Sequence, residues 1–291
     1  RVQPASGAWV HRRAEDIAAG STVLAEGLRL TPAAVGLAAS IGAATLEVRR
    51  RPCVVCFFTG DELVMPGQPL PAGGIYNSNR FVLNALLRRL GCEVLDLGIV
   101  PDSREATRQA LREAAEGADL IISAGGVSVG EEDHVRPAVE AEGQIDLWRV
   151  AIKPGRPLAY GRVGRHGPEG ARAAVPGSFA HFIGLPGNPV SAYVTFLLFV
   201  RPFVLRLQGI QAVEPQAVTL ISGFDWTNPD RRREFLRAVH LPDGRLGLFR
   251  QQGSAVLTSA VVGHGLIDNP PGQTIRQGDA VRFLSFAELL N

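Results

Sequence analysis

Ile121 to Val135 reads IISAGGVSVGEEDHV: an apolar run suited to a buried strand, a turn through two glycines and a serine, and three consecutive acids. Glycine lets a backbone approach a ligand closely and aim its N–H groups at an oxyanion, while a carboxylate just beyond can hold a hard cation. A plain strand-to-helix turn fits the same letters, so the neighbouring segments decide between them.

Working outward, strand, loop and helix repeat from Pro52 to Gly209. Cys53 to Phe58 is continuously apolar. Asn77 to Leu90 places Phe81, Leu83, Leu86, Leu87 and Leu90 close to one helical stripe, which Gly91 ends. Glu93 to Val100 reads as a strand, Ser103 to Glu116 as a helix, Asp119 to Ser123 as a strand and Asp133 to Glu142 as a helix. This alternation predicts an α/β fold, a three-layer αβα unit with a parallel sheet between two helical layers. Ligands of such sheets bind beyond the carboxyl ends of the strands. Those ends carry Thr59-Gly60-Asp61-Glu62, Pro101-Asp102, Gly125 to Asp133, Lys153 to Pro157 and Gly184 to Pro189, five polar loops expected on one rim.

The chain has 291 residues, 46% hydrophobic and 20% charged, which excludes disorder as its main state and leaves room for two or three domains. A formal net charge of +2 gives no reason to expect nucleic acid or a membrane surface as partner. Cys53, Cys56 and Cys92 make no secreted-type framework and fit a reducing cytoplasm. Cys53 and Cys56 are read as strand residues facing opposite ways rather than as a redox or metal pair. The apolar run Ala192 to Val200 is too short to span a bilayer.

Residues 1–51 read as part of a domain: Thr31 and Pro32 open a helix that Gly42 ends, and a short strand leads into Arg49, Arg50 and Arg51, a basic run read as solvated surface. Gly164 to Ala180 is expected to be an exposed loop between strands. After a helix ending near Gln208, residues 211–291 turn to short β-type runs, AVTLIS, EFLRAVHL, RLGLFR and AVRFLSF, with a hairpin turn at LPDGRL: a small C-terminal β-domain.

With FFTGDELVMPG, IYNSNR, GVSVGEEDH, AIKPGRP and LPGNPVSA present in this order, the sequence resembles the MoeA family of molybdopterin molybdenumtransferases, including the gephyrin E domain. The resemblance runs from about Gly7 to the C-terminus. It implies a molybdopterin-binding αβα domain at 52–210, a C-terminal β-barrel domain, and a partial elongated domain at 1–51 that relatives complete with further upstream residues, some of them catalytic. It also implies insertion of molybdenum from molybdate into adenylylated molybdopterin with release of AMP, Mg²⁺ as assisting cation, a cytoplasmic homodimer, and a MogA-type adenylyltransferase as a possible partner.

Carried over residue by residue, the resemblance makes Glu62, Asp102 and Asp133 active-site acids, with Asp133 and Glu62 facing the metal. Asp133 and Asp102 also read as helix N-caps, Asp102 within a capping box closed by Glu105. The pterin and its phosphates fall to Thr59, Gly60, Asp61, Asn77, Ser78, Asn79, Gly125, Gly126, Val127, Ser128, Gly130, Lys153, Gly155, Arg156, Pro157, Pro186, Gly187, Asn188 and Pro189. Molybdate falls to Lys153, Arg156, Arg232 and Ser254. Asn188 and Pro189 read in addition as the cap and first turn of a long helix. Three positions depart from the family pattern: Asn77 where an Asp is common, Ala124 where a hydroxyl is common, and Arg156 where a Lys is common. Two other readings are carried: a MogA-type adenylyltransferase, from which the TGDEL lead-in and the C-terminal β-domain distinguish this chain, and a shortened, non-catalytic pterin-binding scaffold.

Overall fold

The computed structural model describes residues 3–127, 134–166 and 174–290. Helix α1 (Pro32–Ser40) begins as its letters require: the Thr31 hydroxyl accepts a hydrogen bond from the Ala34 amide at 3.2 Å and Pro32 occupies the first turn. The strand expected after it does not form. Residues 43–51 stay irregular. Arg49 pairs with Glu26, and both nitrogens of the Arg50 fork meet Asp119, so two of the three arginines are spent on acids rather than solvent alone.

Strand β1 (Cys53–Thr59) is buried on both faces, with Val54, Cys56 and Phe58 in one core and Val55 and Phe57 in the other. Such a strand needs a layer on each side, the condition of a covered parallel sheet. Burial pushes the Cys56 thiol up and the Cys92 thiol up to about 12, which leaves both protonated and unreactive.

After β1 come the paired two-residue strands β2 (Leu63–Val64) and β3 (Ile75–Tyr76), then α2 (Ser78–Arg89), β4 (Glu93–Val100), α3 (Arg104–Ala115), β5 (Leu120–Ala124), α4 (Val135–Glu142), β6 (Gly143–Trp148), β7 (Ile152–Lys153), β8 (Ala159–His166) and β9 (Ala174–Leu185). The sheet order is β4-β1-β5-β9-β8-β6. The first four strands are parallel as expected, while β8 and β6 add antiparallel pairs and make the sheet mixed. The expected loop from Gly164 to Ala180 is corrected accordingly: its two ends belong to the β8–β9 hairpin.

Helix α2 packs on one face together with α5 (Pro189–Thr195), and α3 and α4 pack on the other. After α5 the same helix loosens into one π-helical stretch (Phe196–Val200) and continues as α6 (Arg201–Leu207), in which Pro202 has no N–H to donate. The joined helix is long and apolar enough to cross a bilayer, but 67% of its most apolar window is buried in the core.

The C-terminal strands β10 (Val218–Ile221), β11 (Arg233–His240) and β12 (Leu246–Leu248) are followed by α7 (Thr258–Val262), β13 (Gly265–Asn269), β14 (Ala280–Ser285) and α8 (Phe286–Leu289). They form a sheet in the order β10-β14-β13-β11-β12, and a bridge between Ser222 and Leu246 ties its two ends into a small barrel. Leu236, Ala238, Leu246, Ile267, Val281 and Phe283 fill it. The two-residue strand β7 leaves the first sheet and pairs in parallel with β11, Lys153 beside Glu234.

Glu142 illustrates how the helical layer is fixed. Its buried carboxylate accepts bonds from Arg108 Nε at 2.7 Å and from Arg112 Nε and Nη2 at 2.9 and 2.8 Å. Burial alone would raise its pKa, but the two arginines outweigh burial and hold it below the ordinary carboxyl value. Its stabilisation is therefore complete above about pH 4.3, the unperturbed glutamate value, and is lost as the pH falls through the depressed folded value. Glu142→Gln should cost about 2 kcal/mol near neutrality and flatten the loss of stability below pH 4, read as urea midpoints across pH.

Candidate functional site

The parallel register aligns the strand ends. Thr59 stands beside Val100, Phe58 beside Ala124, and Ala124 beside Leu185. Strand β6 is antiparallel to β8, which is antiparallel to β9, so the carboxyl end of β6 lies on the same edge; Trp148 pairs with Ala159 and Ala159 with Gly184. The loops after β1, β4, β5, β6 and β9 thus share one rim, as the alternation of elements requires.

At its centre the backbone is crowded. Gly125 has φ +100° and packs on the Thr59 carbonyl, while a Cβ on Gly126 would lie 2.6 Å from Val135 and 2.9 Å from the Thr59 hydroxyl. The Gly125 amide donates to Leu185 at 3.2 Å. The Asn79 amide donates to the Gly187 carbonyl at 2.7 Å, tying the start of α2 to the loop after β9. Asn77 caps α2 through the Arg80 amide at 3.1 Å. Val127 and Pro186 are buried beside these groups, and Ser78 is half-buried.

Buried side-chain atoms without a partner among the described residues include Asn84 Oδ1, Ser123 Oγ, Arg162 Nε and Arg201 Nε, and two more stand at this rim. The Thr59 hydroxyl and the Asn77 Nδ2 have no hydrogen-bond partner among the described residues, although the residues are only 3% and 2% exposed. Buried polar groups are nearly always satisfied, so these two atoms call for a water or another partner from outside the described residues. Asn77 stands where the family pattern has an acid; a buried amide costs less than a buried carboxylate.

The acids lie at the edge. Asp61 and Glu62 are exposed, and the Glu62 carboxylate lies over Gly60, where a Cβ would come within 2.7 Å of it. No bond from the Asp61 side chain to the backbone is present among the described residues. Asp102 is half-buried and is not the cap of α3. Ser103 takes that place, its hydroxyl accepting the Ala106 amide at 3.3 Å, and Glu105 turns to Arg108 at 3.3 Å instead of closing a box. Asn188 occupies the cap position of α5 without a side-chain bond; the Ser254 carbonyl accepts the Val190 amide there at 2.9 Å. Ser128, Gly130 and Asp133 lie outside the described residues, and His134 holds the cap position of α4.

The expected molybdate quartet divides. The Lys153 ammonium lies 3.2 Å from Glu234 and 3.4 Å from Asp230. Glu234 is fully buried and also accepts Trp226 Nε1 at 2.9 Å. Arg232 grips Asp230 through two bonds of 2.9 and 2.8 Å, and these, with the Arg232 amide, hold the Asp230 carboxyl well below its usual range. Arg156 is exposed and shares with Arg232 a cleft of about 530 Å³, lined also by Arg149, Val150, Ala151, Asp230 and Arg231. Gly155, at φ +106°, packs against Thr195, and Pro157 is half-buried.

Sequence reasoning missed Asp230 as the shared acid, and it missed Arg237. That arginine is 1% exposed, donates to the Phe235 and Gly253 carbonyls at 3.3 and 3.1 Å, and holds the turn that carries Ser254. Strand alternation puts it on the face of β11 opposite the barrel-filling Leu236 and Ala238, with Phe235, where an arginine in an otherwise apolar run was the clue.

Comparison with known proteins places these features together. Residues 55–206 match the family model of a probable molybdopterin binding domain, and residues 219–286 match that of the MoeA C-terminal region, domain IV. The chain is 44% identical over 200 residues to the molybdopterin molybdenumtransferase of Haemophilus influenzae, covering 69% of this chain and 46% of that one. It is 37% identical over 246 residues to molybdopterin molybdenumtransferase 2 of Mycobacterium tuberculosis, covering 82% and 57%. The crystal structure of the molybdopterin biosynthesis MoeA protein from Pyrococcus horikosii superposes with a TM-score of 0.74 at 26% identity, covering 91% of this chain and 62% of that one. The chain spans about half the length of the curated relatives it matches.

An orphaned hydroxyl has a measurable signature. Thr59→Val keeps the shape and removes the unsatisfied group, so it should stabilise the ligand-free chain by about 1–2 kcal/mol in urea unfolding. A loss of that size would mean that the hydroxyl is already partnered.

Proposed function

The chain belongs to the MoeA family of molybdopterin molybdenumtransferases, and from that premise we propose that it inserts molybdenum from molybdate into adenylylated molybdopterin, releasing AMP. The observation that carries the reading is the meeting, on one rim, of orphaned buried polar atoms with a cleft of arginines. A pterin phosphate, an adenylate phosphoanhydride and a molybdate dianion bring several negative charges to one place, and backbone amides and guanidinium groups are the donors that suit them.

In this reading Gly125, Gly126 and Ser128 hold phosphate, and Thr59 and Asn77 complete their hydrogen bonding on the substrate. Arg156, Arg232, Lys153 and Ser254 receive molybdate. Asp102 positions an attacking oxygen. Glu62 and Asp133 would hold a divalent cation such as Mg²⁺, which supplies charge neutralisation at the phosphoanhydride oxygens. No group of three or more His, Cys, Asp or Glu among the described residues is arranged to hold a metal ion. Mg²⁺ generally needs no such cage, since one or two carboxylates and the substrate phosphates suffice, and the exposed Glu62 fits that mode. The barrel counts against the adenylyltransferase reading, which has no use for it. A homodimer acting in the cytoplasm, downstream of an adenylyltransferase, completes the proposal.

The test is release of AMP from adenylylated molybdopterin on addition of molybdate and Mg²⁺. Turnover should fall at least a hundredfold in Glu62→Ala and in Asp133→Ala with binding retained, whereas Thr59→Val should weaken binding about tenfold. A chain that binds the adenylate yet never releases AMP would leave the scaffold reading in place.

A further inference from the structure

Strand β4 ends its sheet, yet the side chain of Asp96 on that strand is turned inward over α2 and is only 17% exposed. It accepts Arg80 Nε at 2.7 Å, the Asn84 side-chain amide, and the Gly98 amide at 2.8 Å. Arg80 and Asn84 are one turn apart on the same face of α2, so a single carboxylate clamps the first half of that helix to the sheet edge. The backbone of β4 yields to make this possible. Its register against β1 slips between Asp96 and Ile99, and Gly98 enters the left-handed region at φ +76°, turning its N–H to the acid.

The other end of the clamp is the rim. The Arg80 amide donates to Asn77 Oδ1 at 3.1 Å, the Asn77 amide donates to the Val64 carbonyl at 2.9 Å, and Arg80 Nη1 reaches the Met65 sulfur at 3.1 Å. A backbone N–H can only donate, so Oδ1 is the atom committed to the helix, and the unpartnered Nδ2 has two hydrogens to give. A carboxylate at this position would present an oxygen instead. The direction of the Nδ2 donor is set by the first turn of α2, and that turn is held by Arg80.

We propose that Asp96, acting through Arg80, is a positioning residue that aims the Asn77 side-chain amide at a hydrogen-bond acceptor oxygen of the substrate. The inference rests on the reading of the rim as the substrate site. Hydrogen bonds weaken steeply with misalignment, so loosening the first turn of α2 weakens binding although neither Asp96 nor Arg80 touches the ligand. The acceptor lies on the pterin half or on the nucleotide half of the adenylate, and each half can be offered separately.

The experiment is a double-mutant cycle on the 291-residue chain, with Kd measured calorimetrically for molybdopterin and, separately, for AMP. Asn77→Ser keeps a capping oxygen for the Arg80 amide and removes the donor. Asp96→Ala and Arg80→Met each open the clamp, the second leaving Asp96 bonded to Asn84 and Gly98. For the same probe, Asn77→Ser should raise Kd about tenfold and each clamp variant about fivefold. In the Asn77→Ser background either clamp variant should change Kd less than about twofold, while lowering the melting temperature as much as it does alone, a pattern that a purely structural clamp would not produce. A loss confined to molybdopterin places the acceptor on the pterin half and a loss confined to AMP places it on the nucleotide half; both support the inference. Clamp variants that leave Kd unchanged, or that raise it equally in both backgrounds, overturn it. A parent chain that binds neither probe overturns the reading of the rim as well.

Discussion

The two-residue strand β7 fixes the relation between the halves of this chain. By leaving the first sheet to pair with β11, it brings Lys153 to within 3.2 Å of Glu234, whose carboxylate is fully buried in the barrel wall. A buried carboxylate without a cation would be expensive, so the barrel is complete only when the αβα unit supplies this lysine. One core runs across the seam as well: Phe235, Leu266 and Phe286 of the barrel pack in the same cluster as Leu86 and Val194 of the helical layer. The arginine cleft borders the same seam, while the Ser254 turn is held by Arg237 and by the bond its carbonyl accepts from the Val190 amide.

Much of the central unit was legible because burial on both faces leaves a plain signature. The letters of β1 are continuously apolar, the stripe of α2 recurs at helical spacing, and both elements form where that pattern places them. What escaped was short or paired over distance. Strand β7 has two residues and no periodicity to read. Strand β13, GLIDN, contains Gly, Asp and Asn, which strands generally avoid; Asp268 is accommodated because Arg233 binds it through two nitrogens, and Asn269 because it donates to Gln273 at 2.9 Å. The cap of α3 shifted by one residue, from Asp102 to Ser103, since either side chain can accept the bond and the local backbone chose.

For the site, sequence motifs led to the rim but not to its internal accounts. Lys153 and Glu234 are 81 residues apart, and nothing local indicates that the lysine is half-committed to a structural acid. Nor does the sequence reveal that Thr59 and Asn77 lack partners, because satisfaction of a polar atom is a property of the packed chain. An unpaired hydroxyl, an unpaired amide and a left-handed arginine, Arg149, stand along the rim, and further unpaired polar atoms among the described residues lie at Asn84, Ser123, Arg162 and Arg201.

Strand order then sets the size of what the rim can accept. The acids Glu62 and Asp102 follow β1 and β4 at one side of the sheet, and the arginine-bearing loop joins β6 to β8 at the other. From β1 through β5 and β9 to β8 there are three strand spacings, about 14 Å at roughly 4.8 Å each. A lone oxyanion in the cleft cannot also touch the acids. A ligand that engages both must carry an anionic group at the arginine end, present a cation or a hydrogen-bond donor to the acids at the other, and lie across Gly125, Gly126 and the Asn79–Gly187 contact. The glycines are required at the middle of the rim by the chain itself, since a Cβ on Gly125 would strike the Thr59 carbonyl and one on Gly126 the Val135 side chain, and their small size leaves the backbone close to anything that crosses it.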